Sequence, residues 1–398
     1  MRVLVATPYF YDPTHPEFSR TSSGFGYMVK DILDSICVND QVFVFTHQFS
    51  EGYKENFTVL KHTKGDVLRA IKLKYISRGI KDSVESREDL NTKLHYLYYQ
   101  IDSGAFDKAI MEVKPDIVHI HGLTYQTKPF IEICIRREQK FVVTLHGLNG
   151  INETVMLPEA EKEYERSALE DLSLRKIPIT VISSGIRKKI ENNYGIKTDS
   201  IMVIPNGTKV RSCNISKKKD GKYEILCVGS ISYHKNQTQL LDAIKILPDG
   251  YKNRMHVTFV GVDSDGIDLN NYIQKAGLEG VAEYIGFVPR EQMSDLWKRA
   301  DLNAVMSKEE GFGLSMIEGF MYGVPTLTFY DLDAIEDIFN SEAMEIIESR
   351  DDESVKLAIT RCVGRKFDKE KIVAWGSKFS MDEVGLKYSK LYIDILRG

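Results

Sequence analysis

Cysteine is scarce in this chain and scattered. The five, Cys37, Cys134, Cys213, Cys227 and Cys362, are odd in number and contain no C-x-x-C pair. Neither a disulfide framework nor a thiolate zinc site is encoded, and a reducing, cytoplasmic setting fits. Long apolar runs are missing too: nowhere do about 18 apolar residues follow one another, so no transmembrane helix is expected. The chain opens directly on Arg2-Val-Leu-Val-Ala6, without a basic n-region or cleavage site, so no secretory leader is expected either. Charge of one sign is not in excess. With 53 Lys+Arg against 57 Asp+Glu, the net charge of −4 gives no bulk attraction to nucleic acid, which is not an expected partner. What remains is an ordinary globular composition, 42% hydrophobic and 28% charged. At 398 residues the chain exceeds what one core usually serves, so two domains are expected.

Short β-branched runs alternate with longer helical stretches. Strands are expected near 2–6, 42–46, 116–120, 141–145, 179–183, 201–204, 224–228, 256–260, 283–287, 302–305 and 325–329. Several are apolar at every position, as strands buried on both faces of a parallel sheet are. Helical periodicity marks 24–37, 159–174, 236–246, 291–299 and 314–322. Alternation of this kind means βαβ units and doubly wound sheets. The pattern then restarts: after a basic linker, Lys209 to Lys222, the run Tyr223 to Gly229 repeats the strand-then-turn opening. The boundaries read 1–207 for a first Rossmann-like domain, 208–375 for a second, and 376–398 for a C-terminal helical segment packing across both. Ligands of such sheets sit at the carboxyl ends of the strands, so the site is expected in a cleft between the two domains.

The strongest chemical signal is Glu310-Gly-Phe-Gly-Leu-Ser-Met-Ile-Glu318, followed by Gly319, Gly323 and Pro325. A strand leads into a glycine-bearing turn, and a helix begins near Leu314. Free N–H groups at a helix N-terminus bind anions, and Gly311 and Gly313 let a diphosphate approach the backbone. Glu318 lies about one turn into that helix, where a carboxylate accepts two hydroxyls of a ribose. Glu310 precedes the turn, in reach of sugar hydroxyls. A plain acidic loop with a helix-capping glutamate is the bland alternative; the intervening glycines weigh against it.

This frame, E-G-F-G-L-x-x-x-E-G…G-x-P, resembles the signature of the family-4 glycosyltransferases of the GT-B fold. Other segments resemble that family in the same order: Pro115-Asp-Ile-Val-His-Ile-His-Gly122, Val142-Val-Thr-Leu-His-Gly147, Ile204-Pro-Asn-Gly207, Val228-Gly229 with Lys235, and the closing stretch Trp375 to Tyr392. The resemblance implies an α/β GT-B enzyme that moves a sugar from a nucleotide-sugar to a saccharide or lipid-linked acceptor. Retention of configuration, no metal, and a UDP-sugar donor go with it. By the same resemblance Glu318 binds the donor ribose and Glu310 the donor sugar. Lys235 neutralises the diphosphate with the amides of Gly311, Phe312, Gly313 and Leu314. His146 lies on the sugar's reacting side, Gly24 touches the donor phosphates, and Gly229, Ser230 and Asn206 line the donor site.

The sequence departs from that pattern at several places. Where the family usually has arginine, in V-G-R, Ser230 stands, offering one neutral hydrogen bond in place of a charged fork. The first glycine of the N-terminal G-G loop is Ser23, and the usual D-x-G-G reads Tyr330-Asp-Leu-Asp333 while Glu336 keeps its place. The loss at Ser230 leaves a non-catalytic GT-B partner subunit as the alternative. His119, His121 and His146 as a metal site, Asp331-x-Asp333 or Asp263-x-Asp265 as a D-x-D metal motif, and Gly24-x-Gly26 as a dinucleotide fingerprint are all weaker readings. Residues 61–81 carry Lys61, Lys64, Arg69, Lys72, Lys74, Arg78 and Lys81 against Asp66, with Val67, Leu68, Ile71, Tyr75 and Ile76 at near-helical spacing. That pattern suggests either peripheral contact with an anionic membrane, at its inner face, or a solvated helix packed on its own domain.

Overall fold

The computed structural model describes residues 1–15, 17–18, 24–86, 88–148, 150–151, 157–197, 201–209 and 221–398. Ser23, Cys213 and most of the basic linker lie outside the described residues. The chain divides into two compact units, Met1–Asn206 with Met381–Gly398, and Gly207–Ser380.

The first unit is built on eight strands: β1 (Arg2–Thr7), β2 (Gln41–Thr46), β3 (Tyr53–Lys54), β4 (Thr58–Val59), β5 (Ile117–His121), β6 (Phe141–Leu145), β7 (Ile179–Val181) and β8 (Ile201–Val203). Their order is β3-β4-β2-β1-β5-β6-β7-β8, and every pair is parallel except β3 with β4. β5 and β6 are buried at every position, as the uninterrupted apolar pattern requires. The last helix, Met381–Arg397, belongs to this unit. It buries Val384, Tyr388 and Tyr392, while Ser389 donates to Asp40. Gly385 permits its close approach to the helix Gly24–Ile36, since a Cβ there would lie 2.8 Å from the Ser35 carbonyl oxygen.

The second unit holds six parallel strands: β9 (Tyr223–Val228), β10 (Met255–Val260), β11 (Ala282–Tyr284), β12 (Leu302–Val305), β13 (Thr326–Phe329) and β14 (Met344–Ile347), in the order β11-β10-β9-β12-β13-β14. Its core runs through Ile225, Leu240, Leu241, Val257, Phe259, Leu302, Leu327 and Ile359. In each sheet the order reverses beside the first strand, between β1 and β5 and between β9 and β12. Crevices at such reversals, at the carboxyl ends of the strands, are where doubly wound sheets take ligands.

Residues 61–81 do not form one amphipathic helix. Thr63 closes a capping box with Asp66 and starts a short helix, Lys64–Ala70; the chain extends at Ile71 and a second helix, Leu73–Glu85, follows. Val67 and Tyr75 turn inward, and the Tyr75 hydroxyl donates to Asp107 at 2.6 Å. Leu68, Leu73, Ile80 and Val84 stay exposed, Leu73 at 82%. No helix among the described residues is long and apolar enough to cross a membrane.

Candidate functional site

In the second unit, two turns at the carboxyl ends of adjacent strands carry the charged residues. After β9 the chain passes Gly229 and Ser230 and reaches Lys235. Gly261, at φ +155°, approaches so closely that a Cβ would sit 1.9 Å from the Gly229 carbonyl oxygen. Gln237 braces the same turn, donating to the Ser230 carbonyl at 2.8 Å and accepting from the Ser232 amide. The lysine's methylene stem runs over Gly229, so its ammonium reaches forward to the next turn.

That next turn follows β12. Gly313 caps the helix Leu314–Met321 at φ +75°, a left-handed conformation that also leaves Glu310 room beside the helix start. Phe312 is buried near Phe379 and anchors the loop. Lys235 Nζ donates to Glu310 Oε2, and Ser307 donates to the same oxygen at 3.3 Å. Burial alone would raise the Glu310 carboxyl; the Lys235 charge and hydrogen bond, with His234 and Ser307, outweigh it and hold the group below its ordinary value. Glu310 is therefore ionised at neutral pH.

One turn into the helix, half-buried Glu318 meets Arg290, whose Nη2 lies 3.4 Å from Glu318 Oε1 and donates to Thr208 Oγ1 at 3.0 Å. These residues line a small hollow with Lys209, Met293 and Trp297. Arg290 was missed in the sequence because its partner is distant along the chain. The available signal was a basic residue directly after the β11 loop, at Gly286-Phe-Val-Pro289.

In the first unit, histidines collect at the ends of β5 and β6. His119 is fully buried, with Nδ1 on the Tyr392 hydroxyl and Nε2 on Thr144, both at 2.7 Å. His121 Nδ1 lies 2.9 Å from His146 Nε2. Burial lowers the His119 and His146 pKa values to about 3 and His121 well below its ordinary value, so all three are neutral at neutral pH. Gly24 opens the helix Gly24–Ile36, and its neighbour Phe25 packs edge-on to the His146 ring at 5.2 Å. Asn206, buried, is the last residue of this stretch of the unit. Asp12, His15 and Glu55 form the one group among the described residues whose donor atoms, all within 4.8 Å of one another, suit a metal. Asp12 is already bonded to Thr14 and Tyr53.

The comparisons with known proteins bear on these arrangements. Residues 41–211 match the model for Glycosyltransferase Family 4, and residues 211–372 match that for Glycosyl transferases group 1. The chain belongs to the family-4 glycosyltransferases. An uncharacterized 41.2 kDa protein in the cps region of Klebsiella pneumoniae is 22% identical over 55% of this chain and 62% of its own length. O-antigen chain mannosyltransferase B of Escherichia coli is 27% identical over 48% of this chain and 53% of its own. This glycosyltransferase chain thus spans little more than half the length of these relatives. Sucrose-phosphate synthase of Thermosynechococcus elongatus superposes over 100% of both chains with TM-score 0.74 and 15% identity. Anabaena HepE, in complex with UDP and glucose, covers 98% of this chain and 99% of its own with TM-score 0.66 and 15% identity. These likenesses establish the GT-B fold.

Proposed function

We propose that this chain transfers a sugar, with retention and without a metal, from a UDP-sugar to a saccharide or lipid-linked acceptor in polysaccharide assembly. The observation that carries the reading is the contact of Lys235 with Glu310 beneath the Gly313 turn, with Glu318 one helical turn beyond. When a nucleoside diphosphate leaves, negative charge builds on its phosphates. Lys235 and the amides of Gly311 to Leu314 at the helix N-terminus stabilise that charge, and Lys235 then divides its donors between phosphate and Glu310. Glu310, ionised and oriented by Lys235 and Ser307, accepts hydroxyls of the transferred sugar. Glu318, held by Arg290, accepts the ribose diol. By the family resemblance, His146 meets the sugar and Gly24 the phosphates. Gly229, Ser230 and Asn206 complete the donor site, with Ser230 contributing a neutral hydrogen bond. The UDP and glucose bound to Anabaena HepE support the choice of donor.

The charged set speaks against a partner subunit without activity. Slow hydrolysis of nucleotide-sugars without acceptor separates the two: the enzyme hydrolyses at least one of UDP-glucose, UDP-galactose and GDP-mannose, and an inactive subunit hydrolyses none. The lipid-linked form of the acceptor draws support from exposed Leu68, Leu73, Ile80 and Val84 beside exposed Lys64, Lys72 and Lys81. Leu73, Ile80 and Val84 fall on one helix face. Anionic vesicles should then pull down the chain at low salt, and Leu73→Asp with Ile80→Asp should abolish it. Equal recovery in the supernatant with neutral and anionic vesicles leaves a soluble acceptor.

A further inference from the structure

The turn that carries Glu310 is fastened from behind. Ser307 and Lys308 follow β12, and three of their backbone groups are engaged. The Lys308 N–H donates to the His234 carbonyl at 2.9 Å, while the Ser307 and Lys308 carbonyls accept from Nη1 and Nη2 of Arg350 at 3.2 and 3.0 Å. Arg350 follows β14. Its Nε and Nη2 donate to the two carboxylate oxygens of Asp331, beyond β13, at 2.9 and 2.7 Å, and its guanidinium lies over the Phe329 ring, 4.2 Å from the centroid. The Arg350 carbonyl in turn accepts from the side chain of Gln239, on the helix Gln237–Lys245 that follows Lys235. One side chain thus joins the ends of β12, β13 and β14. An ion pair this accessible, with Arg350 30% and Asp331 36% exposed, adds little to stability by itself. Its geometry does more: the flat fork meets a carboxylate along one edge and two carbonyls along another, a set that a lysine ammonium cannot span.

We propose that Arg350 is a positioning residue, anchored by Asp331, that fixes the Ser307–Lys308 backbone and so sets the Glu310 carboxylate against Lys235 for the transferred sugar. The chain of contacts is short. Ser307 donates through its hydroxyl to Glu310 Oε2, and the Lys235 ammonium donates to the same oxygen. The Lys308 N–H ties this stretch to His234, the neighbour of Lys235. Both donors that orient the carboxylate are therefore referred to backbone that Arg350 holds. When the fork is lost, two carbonyls are released, the Ser307 hydroxyl and the Lys235 ammonium no longer converge on one oxygen, and Glu310 turns away from the direction in which it accepts. The inference rests on the reading above that sets Glu310 at the sugar.

The 13C signals of the glutamate carboxyls in the full chain, with Glu310 identified by its loss in Glu310→Gln, test the positioning without reference to substrate. Burial pushes this carboxyl up, while Lys235, His234 and Ser307 hold it down, so Arg350→Lys should move its titration midpoint to higher pH. Turnover of the fastest-hydrolysed of UDP-glucose, UDP-galactose and GDP-mannose should fall at least about tenfold, with UDP affinity within about threefold of wild type. In a Glu310→Gln background the same substitution should cost less than about twofold, because the group it acts through is already changed. Asp331→Ala, which frees the fork from its anchor, should move both readouts the same way by less. A Glu310 midpoint at the wild-type pH in whichever of Arg350→Lys and Asp331→Ala folds overturns the proposal. So does an Arg350→Lys loss of turnover as large with Glu310→Gln as without it. If the midpoint moves as expected but Glu310→Gln turns over at the wild-type rate, it is the placement of Glu310 at the sugar that fails.

Discussion

The two units present opposite electrostatics at equivalent places in similar sheets. After β9, β11 and β12 the groups are ions, held in pairs: Lys235 with Glu310, and Arg290 with Glu318. At the ends of β5 and β6 they are neutral rings held by hydrogen bonds and burial. Under the proposed function, the second unit's ions stabilise the charged leaving group and the first unit's neutral rings serve the uncharged sugar. Ionic pairs keep a site charged without leaving a bare buried charge, whereas neutral imidazoles direct single hydrogen bonds and do not compete for phosphate.

The largest effect is expected from breaking one ion pair. Lys235→Met leaves Glu310 without its counter-charge and removes a charge-assisted contact worth roughly 1.5–3 kcal/mol, so UDP affinity should fall about 10- to 150-fold and the melting temperature should drop. Adding Glu310→Gln to Lys235→Met should recover much of the stability but none of the affinity, because both partners of the pair are then gone. Calorimetric titration and thermal melts of the single and double variants measure the two effects separately.

Acid should separate the halves next. The histidine pKa values are depressed in the folded first unit, so below about pH 6.5 the unfolded chain takes up protons that the folded one refuses. Stability is intact above that pH and falls as pH drops, by about 1.4 kcal/mol per histidine for each unit. Glu310 is also depressed, but from the carboxylate range, so its contribution is intact down to about pH 4.5 and is lost only below that. Scanning calorimetry between pH 7.5 and 5.5 should show the first unit's transition moving down further than the second's, where His234 is likewise depressed by burial. Parallel movement of both would erase the contrast.

Glycines give a smaller test. Gly261→Ala sets a Cβ against the Gly229 carbonyl and must shift the turn carrying Lys235, at a cost of about 1–3 kcal/mol. Gly24→Ala meets nothing within 4 Å and should leave the melting temperature nearly unchanged. Thermal melts of the two variants, with and without UDP, check both.

Much of this was legible in the sequence, and the exceptions have physical causes. β6 and the helix Glu159–Leu174 fall on the expected residues because unbroken burial and 3.6-residue periodicity leave local marks. β3 and β4 are two residues each and too short to carry a pattern. The helix Leu90–Val113 escaped because it buries Gln100, Asp102, Ser103 and Asp107 beside Phe106. Its polar residues are matched by partners elsewhere in the chain, such as His62 for Asp102 and Arg137 for Asp107. Glu310 and Glu318 stood out by spacing, and Lys235 by the resemblance to the family pattern. Arg290 and the His121–His146 bond did not, since both contacts are made by the folding of distant segments.

Titration of UDP into the wild-type chain and into Lys235→Ala and Glu318→Ala, each first shown to be folded, tests the central claim most directly. Binding by the wild type and an affinity about 10- to 150-fold weaker in each variant are expected. Equal affinity in all three would contradict the assignment of the second unit's paired ions to the donor nucleotide.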